Sequence, residues 1–127
     1  MPTTRRVRTS EQLRPTPAEI DAVYNALAHE ARRQIVLVLS HFGPELPSGY
    51  LANRFTHSWP TTTRHLRVLQ DAGVVSVRRD GRNSWYRLER DHVERVLSGW
   101  LDLLDPPNRD RIWRSPGPRS VKKGSSQ

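Results

Sequence analysis

The stretch SWPTTTRHLRVLQDAGVVSVRRDGRNSWYRL, Ser58 to Leu88, changes period in its middle, and that change decides the fold. Ser58 is a helix cap and Pro60 suits the first turn that follows it. Thr62, Leu66 and Leu69 then fall on one side of a helical wheel, while Pro60, Thr63, Arg64 and Arg67 fall opposite. The helix is expected to run to Ala72, with Gly73 as its C-terminal glycine. From there the period is two. Val75 and Val77 alternate with Ser76 and Arg78, and Tyr86 and Leu88 alternate with Trp85 and Arg87. Asp80-Gly81-Arg82-Asn83 lies between the two runs, so they read as a β-hairpin.

Upstream, Thr16-Pro17-Ala18-Glu19 reads as a capping box and first turn, followed by the apolar stripe Ile20, Val23, Tyr24 and Leu27. A second helix over about 30–41 carries Ala31, Ile35, Val38, Leu39 and Phe42 and ends at Gly43-Pro44. Ser48 is expected to cap a short third helix with Tyr50, Leu51 and Phe55. Downstream, Asp91 with Glu94 is expected to open a last helix whose stripe is Val93, Val96, Leu97, Trp100, Leu101 and Leu104. Pro106-Pro107 is expected to stop it. The expected order is thus α-α-α-α-β-β-α, mainly helical with a small hairpin: a helix–turn–helix followed by a wing. Residues 18–104 form this domain, between a basic, disordered arm over 1–17 and a basic, disordered tail over 105–127.

The chain has 127 residues, of which 35% are hydrophobic, enough for one small core. No run approaches the roughly 18 apolar residues of a membrane span. The opening MPTTRRVRTSEQ lacks the apolar segment of a secretory signal, so a soluble cytoplasmic protein is expected. There is no cysteine, which excludes disulfides, thiol nucleophiles and cysteine-ligated zinc. Gly-rich phosphate loops, G-x-S-x-G and paired carboxylates are also missing, so no enzyme and no cofactor are expected.

Charge is segregated. Twenty-one basic residues against 13 acidic ones give +8. Residues 1–17 hold four Arg and one Glu, net +3, and residues 105–127 hold six bases and two acids, net +4. Within the domain, 54–90 carries eight Arg against three acids, net +5, while 18–53 and 91–104 are each −2. The basic segment contains the second helix of the helix–turn–helix and the wing, as a phosphate-facing surface requires.

Four segments, taken in order, resemble the ArsR/SmtB family of bacterial transcriptional regulators: LAHEARRQI (27–35), SWPTTTRHLRVL (58–69), AGVV (72–75) and RDGRNSWYRL (79–88). The resemblance covers about 18–104 and implies a homodimer that binds palindromic operator DNA, usually as a repressor released by an effector. The candidate DNA-binding residues are Trp59, Thr61, Thr63, Arg64 and Arg67 on the fourth helix and Arg78, Arg79 and Arg82 in the wing. An Arg on that helix can bond the O6/N7 edge of guanine or grip a phosphate, and wing Arg side chains suit a minor groove. Trp59 either packs on a sugar or thymine methyl or closes the turn. His65 is expected to make a structural hydrogen bond. Trp85 and Tyr86 alternate, so one of them packs inward; which of them contacts DNA is open. The candidate dimer face is Ile20, Val23, Tyr24, Leu27, Val93, Leu97, Trp100, Leu101 and Leu104.

Metal sensing departs from the resemblance. Where relatives carry E-L-C-V-C-D-L-A, this chain has ELPSGYLA (45–52), with Pro47 and Gly49 at the cysteine positions. The last helix has Asp91-His92 but no later histidine, and His29, His41, His57, His65 and His92 lack metal-ligand spacing. No metal site is expected, and the effector is left open. Two other functions fit the fold class: a winged-helix protein-interaction module and a nonspecific architectural nucleic-acid binder. The outward Thr63, Arg64 and Arg67 argue against the first, and an affinity that varies with DNA sequence would exclude the second.

Overall fold

A computed structural model of the chain describes residues 14–55 and 58–113. The first helix, α1 (Pro17–Ala26), starts on the expected capping box. Thr16 Oγ1 accepts from the Glu19 amide at 3.1 Å, and Glu19 Oε1 accepts from the Thr16 amide at 2.9 Å. Two of the helix's orphan amides are satisfied in this way. Next come α2 (Glu30–Phe42), a short strand β1 (Glu45–Pro47), and α3 (Ser48–Arg54). The helix α4 (Trp59–Asp71), the strands β2 (Val75–Asp80) and β3 (Asn83–Leu88), and α5 (Arg90–Asp102) complete the domain.

The core is built from every one of these elements. Val23 and Ala26 of α1, Ile35, Val38 and Leu39 of α2, Leu51 of α3, Leu66 and Leu69 of α4, and Val96 of α5 are all buried. The sheet has the order β1-β3-β2 and is antiparallel throughout. Tyr86 lies opposite both Leu46 and Val77, and its ring is buried, which turns Trp85 to the outer face. Tyr86 is thus the inward member of the pair, because adjacent strand residues must point oppositely.

Four expectations need correction. The hairpin is the larger part of a three-stranded sheet. Glu45-Leu46-Pro47 adds an edge strand too short to show alternation, and Pro47 ends it where no further ladder bond is needed. Ser48 does not cap α3; Pro47 occupies the cap position without a side-chain bond, and Ser48 is already helical. The last helix begins at Arg90, one residue before Asp91, and its cap residue Glu89 makes no side-chain cap bond. The Glu89 carboxylate instead accepts from Ser76 Oγ at 2.6 Å, tying the helix to β2. Finally, Pro106-Pro107 does not begin a structureless tail: Pro106–Asn108 forms a 3-10 turn and Arg109–Trp113 a short α6. Residues 14–17 are likewise ordered, with Pro15 buried against Gly99 of α5, where a β-carbon would collide with the proline ring. The arms expected over 1–13 and 114–127, with Arg5, Arg6 and Arg8, lie outside the described residues.

The terminal helices are joined by one ion pair. Arg95 Nη2 of α5 lies 2.6 Å from Glu19 Oε2 of α1, and Arg95 Nη1 lies 3.4 Å from Oε1. Hydrogen bonding from Arg95, aided by the Thr16 amide, lowers the Glu19 carboxyl to about 2. A lowered carboxyl stabilises the fold above its ordinary value of 4.5, and this contribution fades as pH falls toward 2. The Glu19 side chain is 34% exposed and that of Arg95 20%, so solvent reduces the pair's worth to roughly 0.5–1 kcal/mol. Glu19→Gln, which keeps the capping box, should lose that much stability at pH 7 in urea unfolding. The difference from wild type should shrink steadily below pH 4.

Candidate nucleic-acid interface

Burial fixes which face of α4 points outward. Thr62, Leu66 and Leu69 are 1%, 1% and 0% exposed, whereas Pro60, Thr63, Arg64 and Arg67 are exposed on the opposite side. The helix begins on Ser58, whose Oγ accepts from the Thr61 amide at 3.3 Å and donates to Thr61 Oγ1 at 3.0 Å. Arg64 Nη2 donates to the same Thr61 oxygen at 3.3 Å, which draws its guanidinium toward the helix N-terminus. Trp59, 52% exposed, stands at that end too, and so does not close the turn as a buried residue. At the other end Gly73, with φ of 78°, lets the Val74 amide bond the Leu69 carbonyl at 2.9 Å. The chain is thus turned directly from α4 into β2.

The three wing arginines are not equivalent. Arg78 makes a forked bond to Glu45, Nη2–Oε1 2.9 Å and Nε–Oε2 3.3 Å, reaching from β2 over β3 to β1. Its guanidinium carbon also lies 5.6 Å from the centre of the Trp85 ring. The Arg78 hydrogen bonds hold the Glu45 carboxyl below its ordinary value. Arg78 therefore ties the sheet's outer face together. Arg79 stands near the end of β2 and Arg82 in the two-residue Gly81-Arg82 turn, where Gly81 takes a φ of 64°, and among the described residues neither has an ion-pair partner.

The sequence reading missed Arg32, although it sits in the apolar row of α2, three residues before Ile35 and seven before Leu39. Arg32 is 7% exposed. Its Nε donates to the Ala26 carbonyl at 2.7 Å and its Nη2 to the Asn25 carbonyl at 3.0 Å, at the C-terminus of α1 where the helix dipole is negative. Its Nη1 lies 3.4 Å from His65 Nδ1 on α4, the structural hydrogen bond expected of that histidine.

The candidate dimer face divides in two. Val23 is fully buried within the protomer and cannot face a partner, and Ile20, Leu27, Val93 and Leu97 pack against the core. A wheel of α1 cannot separate these from the outward residues, because one broad stripe serves both. Tyr24, Leu101 and Leu104 are exposed, the last two by 54% and 63%, and Tyr24 meets Trp100 edge-on at 5.7 Å.

No profile of a known protein family matches the chain. The arsenic resistance transcriptional regulator ArsR1 of Pseudomonas putida is 31% identical over 97 residues, covering 74% of this chain and 70% of that protein. A homologue of the cadmium resistance transcriptional regulatory protein CadC from Staphylococcus aureus is 33% identical over 81 residues, 64% of this chain and 66% of its own length. Among solved structures, a possible transcriptional regulator for arsenical resistance superposes with a TM-score of 0.58 at 28% identity, covering 76% of this chain and 98% of that one. The chain belongs to the ArsR family of transcriptional regulators. Its fold is the winged helix-turn-helix of that family, and ArsR regulators are not enzymes. In this ArsR-family chain, α3 and α4 form the helix–turn–helix, β2 and β3 the wing.

The buried guanidinium is testable by substitution. Arg32→Met keeps the apolar stem but leaves the buried Ala26 carbonyl without its guanidinium donor and the Asn25 carbonyl with only the Ala28 and Leu27 amides. Stability should fall by about 2–3 kcal/mol, read as a lower urea midpoint at unchanged slope.

Proposed function

We propose that this ArsR-family protein is a homodimeric repressor that reads a palindromic operator with α4 and steadies itself with its wing. What supports the reading is that Thr63, Arg64 and Arg67 project to solvent from a helix whose opposite face is sealed in the core. Thr63, Arg64 and Arg67, with Trp59 and Thr61 at the leading end, are the base-reading and phosphate-gripping set. Arg79 and Arg82 are the wing's contacts, and Arg78 holds the wing in place through Glu45. Tyr24, Trp100, Leu101 and Leu104 form the self-complementary dimer patch around a twofold axis, which sets two half-sites about 10–10.5 bp apart or a multiple of it. Such a protein acts in the cytoplasm, where its DNA is. Among the described residues, no helix is long and apolar enough to cross a membrane.

Release by a thiophilic metal does not suit these residues. The whole chain lacks cysteine, and at the two positions where the resemblance places thiolates stand Pro47, in β1 opposite Trp85, and Gly49. Among the described residues no group of three or more His, Asp or Glu side chains is placed to hold a metal ion. Occupancy of the operator would then be set by protein concentration, salt and any effector of other chemistry.

Two measurements test the reading. Arg64→Ala and Arg67→Ala should each weaken operator binding by roughly 1–3 kcal/mol where a base is read, with unfolding nearly unchanged. Operator affinity equal to wild type in both variants would place the DNA surface elsewhere. In sedimentation the wild type should be a dimer at micromolar concentration and Trp100→Asp a folded monomer. A wild-type monomer would remove the twofold arrangement.

A further inference from the structure

We infer that Arg32 and His65 are positioning residues, which set the angle at which the dimer presents its two recognition helices. The inference rests on the dimeric, operator-reading function proposed above. Arg32 is buried, yet no carboxylate pairs with it among the described residues. Its fork is spent on three acceptors from two other elements: the last carbonyls of α1 and the imidazole of His65 on α4. A guanidinium has donors and no acceptor, so His65 Nδ1 must be the acceptor in that contact and carry no proton.

An apolar residue would fill this position of the α2 stripe at less desolvation cost, so a buried fork is expected where directed bonds hold a geometry. The geometry held here joins two working surfaces. α1 carries Tyr24 of the dimer patch, and α4 carries Thr63, Arg64 and Arg67. The buried leucines of α4, Leu66 and Leu69, make non-directional contacts that tolerate small sliding and rotation. The Arg32–His65 bond is directional, and it ends two positions from Thr63 and Arg67 on the same helix. A few degrees of freedom there would move each α4 relative to the twofold axis. Half-sites lie at a fixed separation, and each added base pair rotates one against the other by about 35°.

The test compares operator with the same sequence carrying one base pair inserted at its centre. Wild type should prefer the native spacing by roughly tenfold or more, a step comparable to one mismatched base pair. His65→Leu, which removes the acceptor, should narrow that preference severalfold. His65→Asn, whose amide oxygen can replace Nδ1, should restore most of it. Thermal unfolding of each variant separates this from instability, because a purely structural role would lower the melting temperature without changing the spacing ratio. Should His65→Leu fail to fold, nitrogen NMR of the wild-type imidazole decides: an unprotonated Nδ1 at pH 7 together with a normal ratio for His65→Asn supports the joint, and a proton on Nδ1 overturns it. A His65→Leu protein that discriminates spacing as wild type does overturns the inference alone. Wild type indifferent to spacing overturns the dimeric reading beneath it.

Discussion

Leu66 and Leu69 fix the rotation of α4 about its own axis, and the rest of the surface follows from that. Both are sealed in a core shared with α1, α2, α3, α5 and the sheet. Turning the helix by even one residue position, about 100°, would expose a leucine and bury an arginine, a cost of several kcal/mol. The same apolar contacts that stabilise a small domain thus also decide which side chains meet solvent. Arg64 and Arg67 need no partner to be held outward; their orientation is inherited from the leucines beneath.

The wing shows a different division of labour. It is only two strands and a tight turn, which would be marginal alone in water. β1 adds a third strand, and the Arg78–Glu45 fork spans β3 to join the sheet's outer edges over Trp85. One of three neighbouring arginines is thereby spent on structure, while Arg79 and Arg82 stay at the tip. Elsewhere in the domain α1 and α5 are fastened by Glu19–Arg95 and by the close approach of Pro15 to Gly99. The apolar patch of Tyr24, Trp100, Leu101 and Leu104 therefore rides on a braced pair of helices.

Much of this was legible in the sequence wherever the deciding signal is local. Thr16 and Ser58 cap as read, Gly73 and Gly81 take the positive φ that their turns require, and the switch from helical to alternating period marks the start of β2. What escaped depends on contacts between distant residues. Nothing within Glu45-Leu46-Pro47 says strand; β3 makes it one. Arg78 looked like its neighbours because Glu45 lies 33 positions away. Val23 looked outward because a helix stripe does not tell a residue sealed by its own core from one left for a partner. Arg32 was the exception, since a charge in an apolar row was visible without any long-range information.

Whether this surface reads sequence is tested by selection of bound fragments from a random double-stranded DNA pool by the 127-residue protein. The account predicts enrichment of an inverted repeat, with half-sites one helical turn or a multiple of it apart and a guanine in each half. Strong retention of DNA with no enriched sequence would contradict it, leaving a basic domain that grips phosphates without reading bases.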